Sequence, residues 1–401
     1  MTDMLTNSQK KFLSPTAQQF FKENVTTSVE KLLFSTKKND LPVQEIAHQI
    51  TCRNKFKNKL ASWCSNPLII FPKKVSVEQA SSDSTANYKS TIVPKGKSFV
   101  DLSGGMGVDF AALSTVFEQG TYVERENELA NLAQHNIPLL TDKPQTVVCD
   151  DALAYLKEKW LTNLIYIDPH RRSDTNAKLV SLADCQPNVL SIQDTLLKKT
   201  NQVLIKASPM LDIKKTLPEL KHIKEVHIVS VKNECKELLF LQENGWAIEP
   251  FVIASNILSD SIEQIQFRYS EEKLLKAELS DMKQFVHIPN TAVTKAGAFK
   301  WLCKRFTVTK ISKNSHVYTS NKPIPNFPGN TYSVSEIFSL KEAKKYLKDL
   351  KIGKASIIMR NVPMELSQLR KSLGIKGEGA FLLLATTDQY EKMVLARISL
   401  V

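Results

Sequence analysis

Between Ser98 and Gln242, seven short apolar runs alternate with helical segments, and this alternation constrains the fold more than any other feature. The runs are SFVDL, TYVE, TVVCD, NLIYID, QVLIKA, EVHIVSV and KELLFLQ. Strands separated by helices imply a parallel sheet covered on both faces, because each crossover carries a helix back over the sheet. Only the few residues Lys232 to Cys235 join the last two runs. A connection that short demands an antiparallel hairpin. The expected fold class is α/β: a doubly wound, Rossmann-like, seven-stranded core with an antiparallel last strand.

The flanks read differently. Residues 1–90 form a helical N-terminal region, in which TAQQFFKENVTTSVEKLLF and VQEIAHQITCRNKFKNKLASWC space apolar residues by three and four. Pro42 starts the second of these helices, and Ser81 or Ser82 caps a helix running through Tyr88 and Lys89. The core spans 91–245. From 246 to 325 a linking domain mixes strand-like FVIAS and QIQFRYS with a helix about Thr294–Phe306, and a turn-rich stretch from Asn321 to Gly329 closes it. Residues 326–401 read strand, basic helix (SLKEAKKYLKDLK), strand (ASIIMR), helix (MELSQLRKSLG) and two strands (FLLLATT, KMVLARI), a small α/β unit of its own.

Charge follows the same divisions. Residues 1–90 carry 13 Lys+Arg against 7 Asp+Glu, residues 91–290 carry 22 against 27, and residues 291–401 carry 19 against 7. A neutral-to-acidic centre with basic ends points to a catalytic core whose outer parts meet a polyanion. No apolar stretch reaches the roughly 18 residues of a membrane span, and the N-terminus lacks the apolar core of a signal peptide, so the expected location is the cytoplasm. The six cysteines form no CxxC pair and the histidines no ligand pattern, so no metal is expected.

Three of the chain's 12 glycines fall within Gly104 to Gly107, directly after SFVDL and before the helix VDFAALSTVF. A strand-to-helix turn on which a ligand lies against the backbone needs such residues, and the helix start presents free N–H groups. A dinucleotide fingerprint would require a third glycine at Phe110. The run Asp101-Leu102-Ser103-Gly104-Gly105-Met106-Gly107 instead resembles motif I of class I methyltransferases, with Ser103 in place of the first glycine. That resemblance implies S-adenosyl-L-methionine as cofactor. Asp101 would fix the loop or meet the methionine ammonium. Glu124, 17 residues after Gly107, would take the ribose hydroxyls. Asp151-Ala152 would stand beside the adenine, with Asp150 as the alternative by one position.

The fourth run ends in Asp168-Pro169-His170-Arg171-Arg172. This resembles the Asp/Asn-Pro-Pro-aromatic signature of amino-methyltransferases in its first two residues and departs from it in the next two. Asp168 would orient the acceptor amine, His170 would stack or take a proton, and Arg171 with Arg172 would hold a phosphate. A cysteine nucleophile for pyrimidine methylation has one candidate, Cys185, better read as an inert buried thiol.

Taken with VERENELA, IKASPMLDI, PNTAVTKAGAFK and NSHVYTS, the chain resembles a bacterial group of class I methyltransferases with a THUMP-like C-terminal domain. The resemblance implies a ferredoxin-like segment at 246–325, a THUMP-like basic domain at 326–401, and RNA (tRNA or rRNA) as partner, with a guanine exocyclic amine as the leading target. Lys344, Lys345 and Lys348 on the basic helix, with Arg370 and Lys371, would grip phosphates without reading sequence. The competing expectations are a methyltransferase of DNA, protein or a small molecule, and an RNA-binding module with an inactive core.

Overall fold

In the computed structural model, which describes residues 5–35, 40–171 and 181–401, the glycine-rich turn follows a strand that has a parallel neighbour on each side. Strands β1 (Gly96–Asp101), β2 (Phe117–Glu124), β3 (Gln145–Cys149), β4 (Thr162–Ile167) and β5 (Thr200–Ala207) run parallel in the order β5-β4-β1-β2-β3. β4 and β5 are mostly buried, as central strands covered on two faces require, β1 and β2 are buried along half their length, and the edge strand β3 has no buried residue. Two further strands follow, β6 (Ile223–Val231) and β7 (Glu234–Glu243), and β7 runs antiparallel to β5. All seven expected runs are strands, and the last has the expected direction.

The chain divides into two units, residues 1–224 with 238–248, and residues 225–237 with 249–401. In the first unit, α1 (Pro15–Asn24) starts with Pro15 behind a Ser14 cap, and α2 (Val43–Phe56) starts after Pro42. Ile46 and Ile50 of α2 pack with Phe12, Phe21 and Leu132. Cys52 and Phe56 belong to a second cluster with Trp63, Phe71, Met106, Val108 and Ala112, which fastens the helical region onto the glycine loop. Arg53 is buried here, its guanidinium 4.9 Å from the Phe21 ring and 5.0 Å from that of Phe71. It donates to the carbonyl of Ile69 at 2.7 Å and so fixes the strap leading out of the helices.

Helix α3 (Asp83–Ile92) is capped by Ser82 through a capping box with Thr85. Helix α4 (Val108–Leu113) begins at Gly107, whose φ of +88° only glycine adopts readily. The sequence predicts α4 to reach Phe117. It stops at Leu113, and Phe117 already opens β2. Gly120 lets β2 lie tight against the core, since a Cβ there would meet the rings of Phe99 and Phe110 at 2.6 Å.

In the second unit β6 pairs in parallel with β8 (Phe251–Ile257), which pairs antiparallel with β9 (Ile262–Phe267). The helix expected about Thr294–Phe306 is two, α5 (Thr291–Ala296) and α6 (Phe299–Phe306), separated at Gly297 in the left-handed conformation. A second sheet comprises β10 (Phe285–Pro289), β11 (Thr309–Lys310), β12 (Tyr318–Ser320), β13 (Gly329–Phe338), β14 (Ala355–Met359), β15 (Phe381–Thr387) and β16 (Met393–Leu400). Their order is β11-β12-β10-β13-β16-β15-β14. Helices α7 (Leu340–Asp349) and α8 (Leu366–Leu373) bury Ala343, Leu347, Leu369 and Leu373 against Leu383, Ala385 and Leu395 of its last strands. No described helix is long and apolar enough to cross a membrane.

Candidate functional site

Parallel strands aim their carboxyl ends at one edge of the sheet, and open α/β sheets bind ligands there. Asp101, Glu124, Asp150 and Asp168 stand at or just past the ends of the adjacent strands β1, β2, β3 and β4. The glycine loop runs through the middle of this row. Gly105 has φ +59°, and a Cβ added to it would meet only the Ser103 carbonyl, at 3.5 Å, so its outer side is open. Gly104 is the reverse: its Cβ would sit 2.4 Å from the Tyr122 ring. The Tyr122 hydroxyl donates to the Gly105 carbonyl at 2.6 Å, which fixes the loop from below.

The acidic residues are held by the backbone around them. Glu124 accepts from the Gly105 N–H at 2.8 Å through one oxygen and from the Glu126 N–H at 2.8 Å through the other. Asp101 is 1% exposed and accepts from the N–H and hydroxyl of Ser103 at 2.9 and 3.1 Å. Burial pushes its carboxyl up to about 8, against the bonds from Ser103. Asp101 therefore braces the loop from inside. Asp151 is exposed and caps the short helix Ala152–Tyr155 through the N–H groups of Leu153 and Ala154, while Asp150 accepts from the Asp151 N–H at 2.8 Å.

Ser103 also joins the loop to the fourth strand. Its hydroxyl accepts from the Asp168 N–H at 2.7 Å. The Asp168 carboxylate is ion-paired with Lys206 Nζ at 2.6 Å, and Lys206 lies 3.2 Å from Ser81 Oγ and 3.8 Å from Asp109 Oδ2. Asp109 is buried on the first turn of α4 and takes Lys89 at 3.1 Å, the Tyr166 hydroxyl at 2.6 Å and the Ser81 hydroxyl at 2.8 Å. Burial alone would raise the Asp109 carboxyl, but Lys89 and Lys206 with these hydroxyls hold it down at about 2. Lys89 is itself fully buried. Of the polar network Ser81, Lys89, Asp109, Tyr166, Lys206, Asp168 and Ser103, the sequence reading marks only Asp168 and Ser103 as site residues. A lone lysine in the apolar strand TNQVLIKA and a lone aspartate in VDFAAL were the network's signals.

Pro169 is buried and His170 exposed beyond it. His170 Nε2 lies 3.0 Å from Arg125 Nη2; since arginine can only donate, Nε2 accepts and the ring is neutral. Partial covering of the ring by its neighbours, reinforced by the Arg125 charge, lowers the His170 pKa. Arg171 is described in backbone only, paired antiparallel with Cys185, and Arg172 lies outside the described residues. The Cys185 thiol is buried and turned to the Ser181 carbonyl. In the second unit Lys344, Lys345, Lys348 and Lys371 are exposed, whereas Arg370 is half-buried and bonded to Glu378 at 3.3 Å. Among the described residues no His, Cys, Asp or Glu cluster could hold a metal.

A family described as a ferredoxin-like domain matches residues 285–328, and one described as THUMP domain-like matches residues 329–397. A crystal structure from Porphyromonas gingivalis W83, described as a "putative methyltransferase", is 33% identical and superimposes with a TM-score of 0.89. The match covers 99% of this chain and 100% of that one. A Streptococcus mutans protein, described as a "putative methyltransferase" in complex with SAH, is 12% identical over 40% of this chain and 96% of its own, with a TM-score of 0.29. That likeness is too low to carry weight. No curated protein matches the chain.

Proposed function

The chain belongs to the bacterial family of class I methyltransferases with ferredoxin-like and THUMP-like C-terminal domains, and from that premise we propose that it transfers a methyl group from S-adenosylmethionine to an amine of RNA, tRNA or rRNA, with a guanine exocyclic amine as the leading target. One observation carries the reading: a glycine loop open at Gly105 lies in a row of strand-end carboxylates. The residues present fit the donor. Gly105 leaves room against the backbone, Glu124 has lone pairs left for ribose hydroxyls, and Asp150 or Asp151 with Ala152 would receive the adenine amine.

When bound, the donor supplies an electrophilic methyl on a sulfonium. The protein's task is then alignment, because displacement at such a carbon needs a correctly placed lone pair more than a strong base, and placement supplies about 7–11 kcal/mol in favourable cases. Asp168, with Pro169 buried behind it, accepts an N–H of the acceptor amine and points its lone pair at the methyl. The proton given up by that nitrogen would pass to water, with Asp168 holding the remaining N–H. His170, neutral beside Arg125, offers a flat ring at the mouth. Arg171 and Arg172 are proposed for an adjacent phosphate.

RNA as substrate is supported by the exposed lysines of α7 and by the THUMP-like match. The absence of the second proline and the aromatic at His170-Arg171 favours one alternative, an RNA-binding module with an inactive core. Calorimetric titration with S-adenosylmethionine, followed by transfer of labelled methyl to unmodified tRNA and rRNA transcripts, tests both. Saturable donor binding with transfer is expected. Donor binding without transfer to any transcript would favour the module, and no binding at millimolar donor would remove the enzyme reading.

A further inference from the structure

We propose that Lys206 is a positioning residue for Asp168: its ammonium ties one carboxylate oxygen so that the other faces the acceptor amine in a single orientation. The inference rests on the methyl-transfer reading above and adds a residue to it. Asp168 follows the end of a strand with its side chain 36% exposed, so left alone it would turn among rotamers. Ser103 holds the backbone by accepting its N–H at 2.7 Å, and Lys206 removes the side chain's freedom by holding Oδ2 at 2.6 Å.

Lys206 is in turn prevented from swinging away. It projects from β5, the strand paired with β4, and its side chain is only 14% exposed. Its ammonium lies within reach of Ser81 and of Asp109, and Asp109 is held by Lys89 of α3, Tyr166 of β4 and Ser81 of the loop before α3. Asp109 thus anchors the ammonium, and the ammonium anchors Asp168. Stability does not require such an arrangement, since replacing a buried ion pair with apolar side chains of similar volume is often neutral or stabilising. A buried lysine aimed at the acceptor-side carboxylate is explained by alignment. The chain also extends the acceptor machinery to the N-terminal helical region, because Ser81 and Lys89 stand beyond the sheet.

The test is a cycle of Lys206→Met, Lys206→Arg, Asp168→Asn and the double variant Lys206→Met/Asp168→Asn, assayed with labelled S-adenosylmethionine and unmodified tRNA and rRNA transcripts. Lys206→Met is expected to lower kcat about a hundredfold while KM for RNA and donor affinity stay within about threefold. Lys206→Arg should recover at least a tenth of the wild-type rate. Because Lys206 acts through Asp168, the double variant should be no slower than Asp168→Asn alone. A wild-type kcat in Lys206→Met, or losses that multiply in the double variant, would overturn the proposal. Should Lys206→Met fail to fold by thermal melting, Lys206→Gln, which keeps a polar head, takes its place in the cycle. Wild-type protein that binds donor but methylates no transcript would refute the RNA reading itself, and this inference with it.

Discussion

Two adjacent glycines make opposite demands, and substitution separates them. At Gly105 the space beyond the Cβ is open and only the positive φ resists a side chain, so Gly105→Val should fold with a loss of about 1–2 kcal/mol while donor binding disappears from calorimetry. At Gly104 an added methyl would strike the Tyr122 ring. Gly104→Ala should therefore lower the melting temperature directly. The buried aspartates also respond in opposite senses to pH. Asp101 titrates near 8 when folded against 3.8 as its ordinary value, so between those limits the folded chain holds the extra proton and stability falls as pH rises. An Asp101→Asn variant should lose that slope in denaturant titrations run from pH 4 to 8. Asp109, held at about 2, gives stability that is complete above pH 4 and is lost as pH falls toward 2.

At the scale of elements, the strands were legible because apolar runs bounded by acids and glycines mark both ends of a buried strand. The same locality made Glu124, Asp150 and Asp168 legible, since each follows directly from the strand it ends. Helix α4 was overestimated because ALSTVF keeps apolar residues at helical spacing, and nothing local announces that β2 needs Phe117. The lysine–aspartate network was not legible for a different reason. Residues 81, 89, 109, 168 and 206 share no local pattern, and only the sheet brings them together. The basic helix α7 carries its own prediction. Changing Lys344, Lys345 and Lys348 to Gln together should flatten the salt dependence of RNA binding by about 0.7 per lost phosphate contact with single strands, read from affinity measured across a salt series. An unchanged slope would mean that these exposed lysines are merely solvated.

At the scale of the whole molecule, the two units are built from interleaved stretches of chain, 225–237 belonging with 249–401 and 238–248 with 1–224. Cutting at residue 245, where the sequence alone suggests a boundary, would leave β6 without its parallel neighbour β8, and with it the buried Ile228 and Val229 unprotected. Such a fragment should be insoluble, an outcome that expression and sedimentation would check. During synthesis the ribosome delivers β6 well before the residues that complete its unit, so the nascent chain must hold an unfinished edge while the rest emerges. The same interleaving bears on ancestry. A unit appended at a gene's end can be lost by one deletion, but a unit threaded through its neighbour can only be inherited along with it.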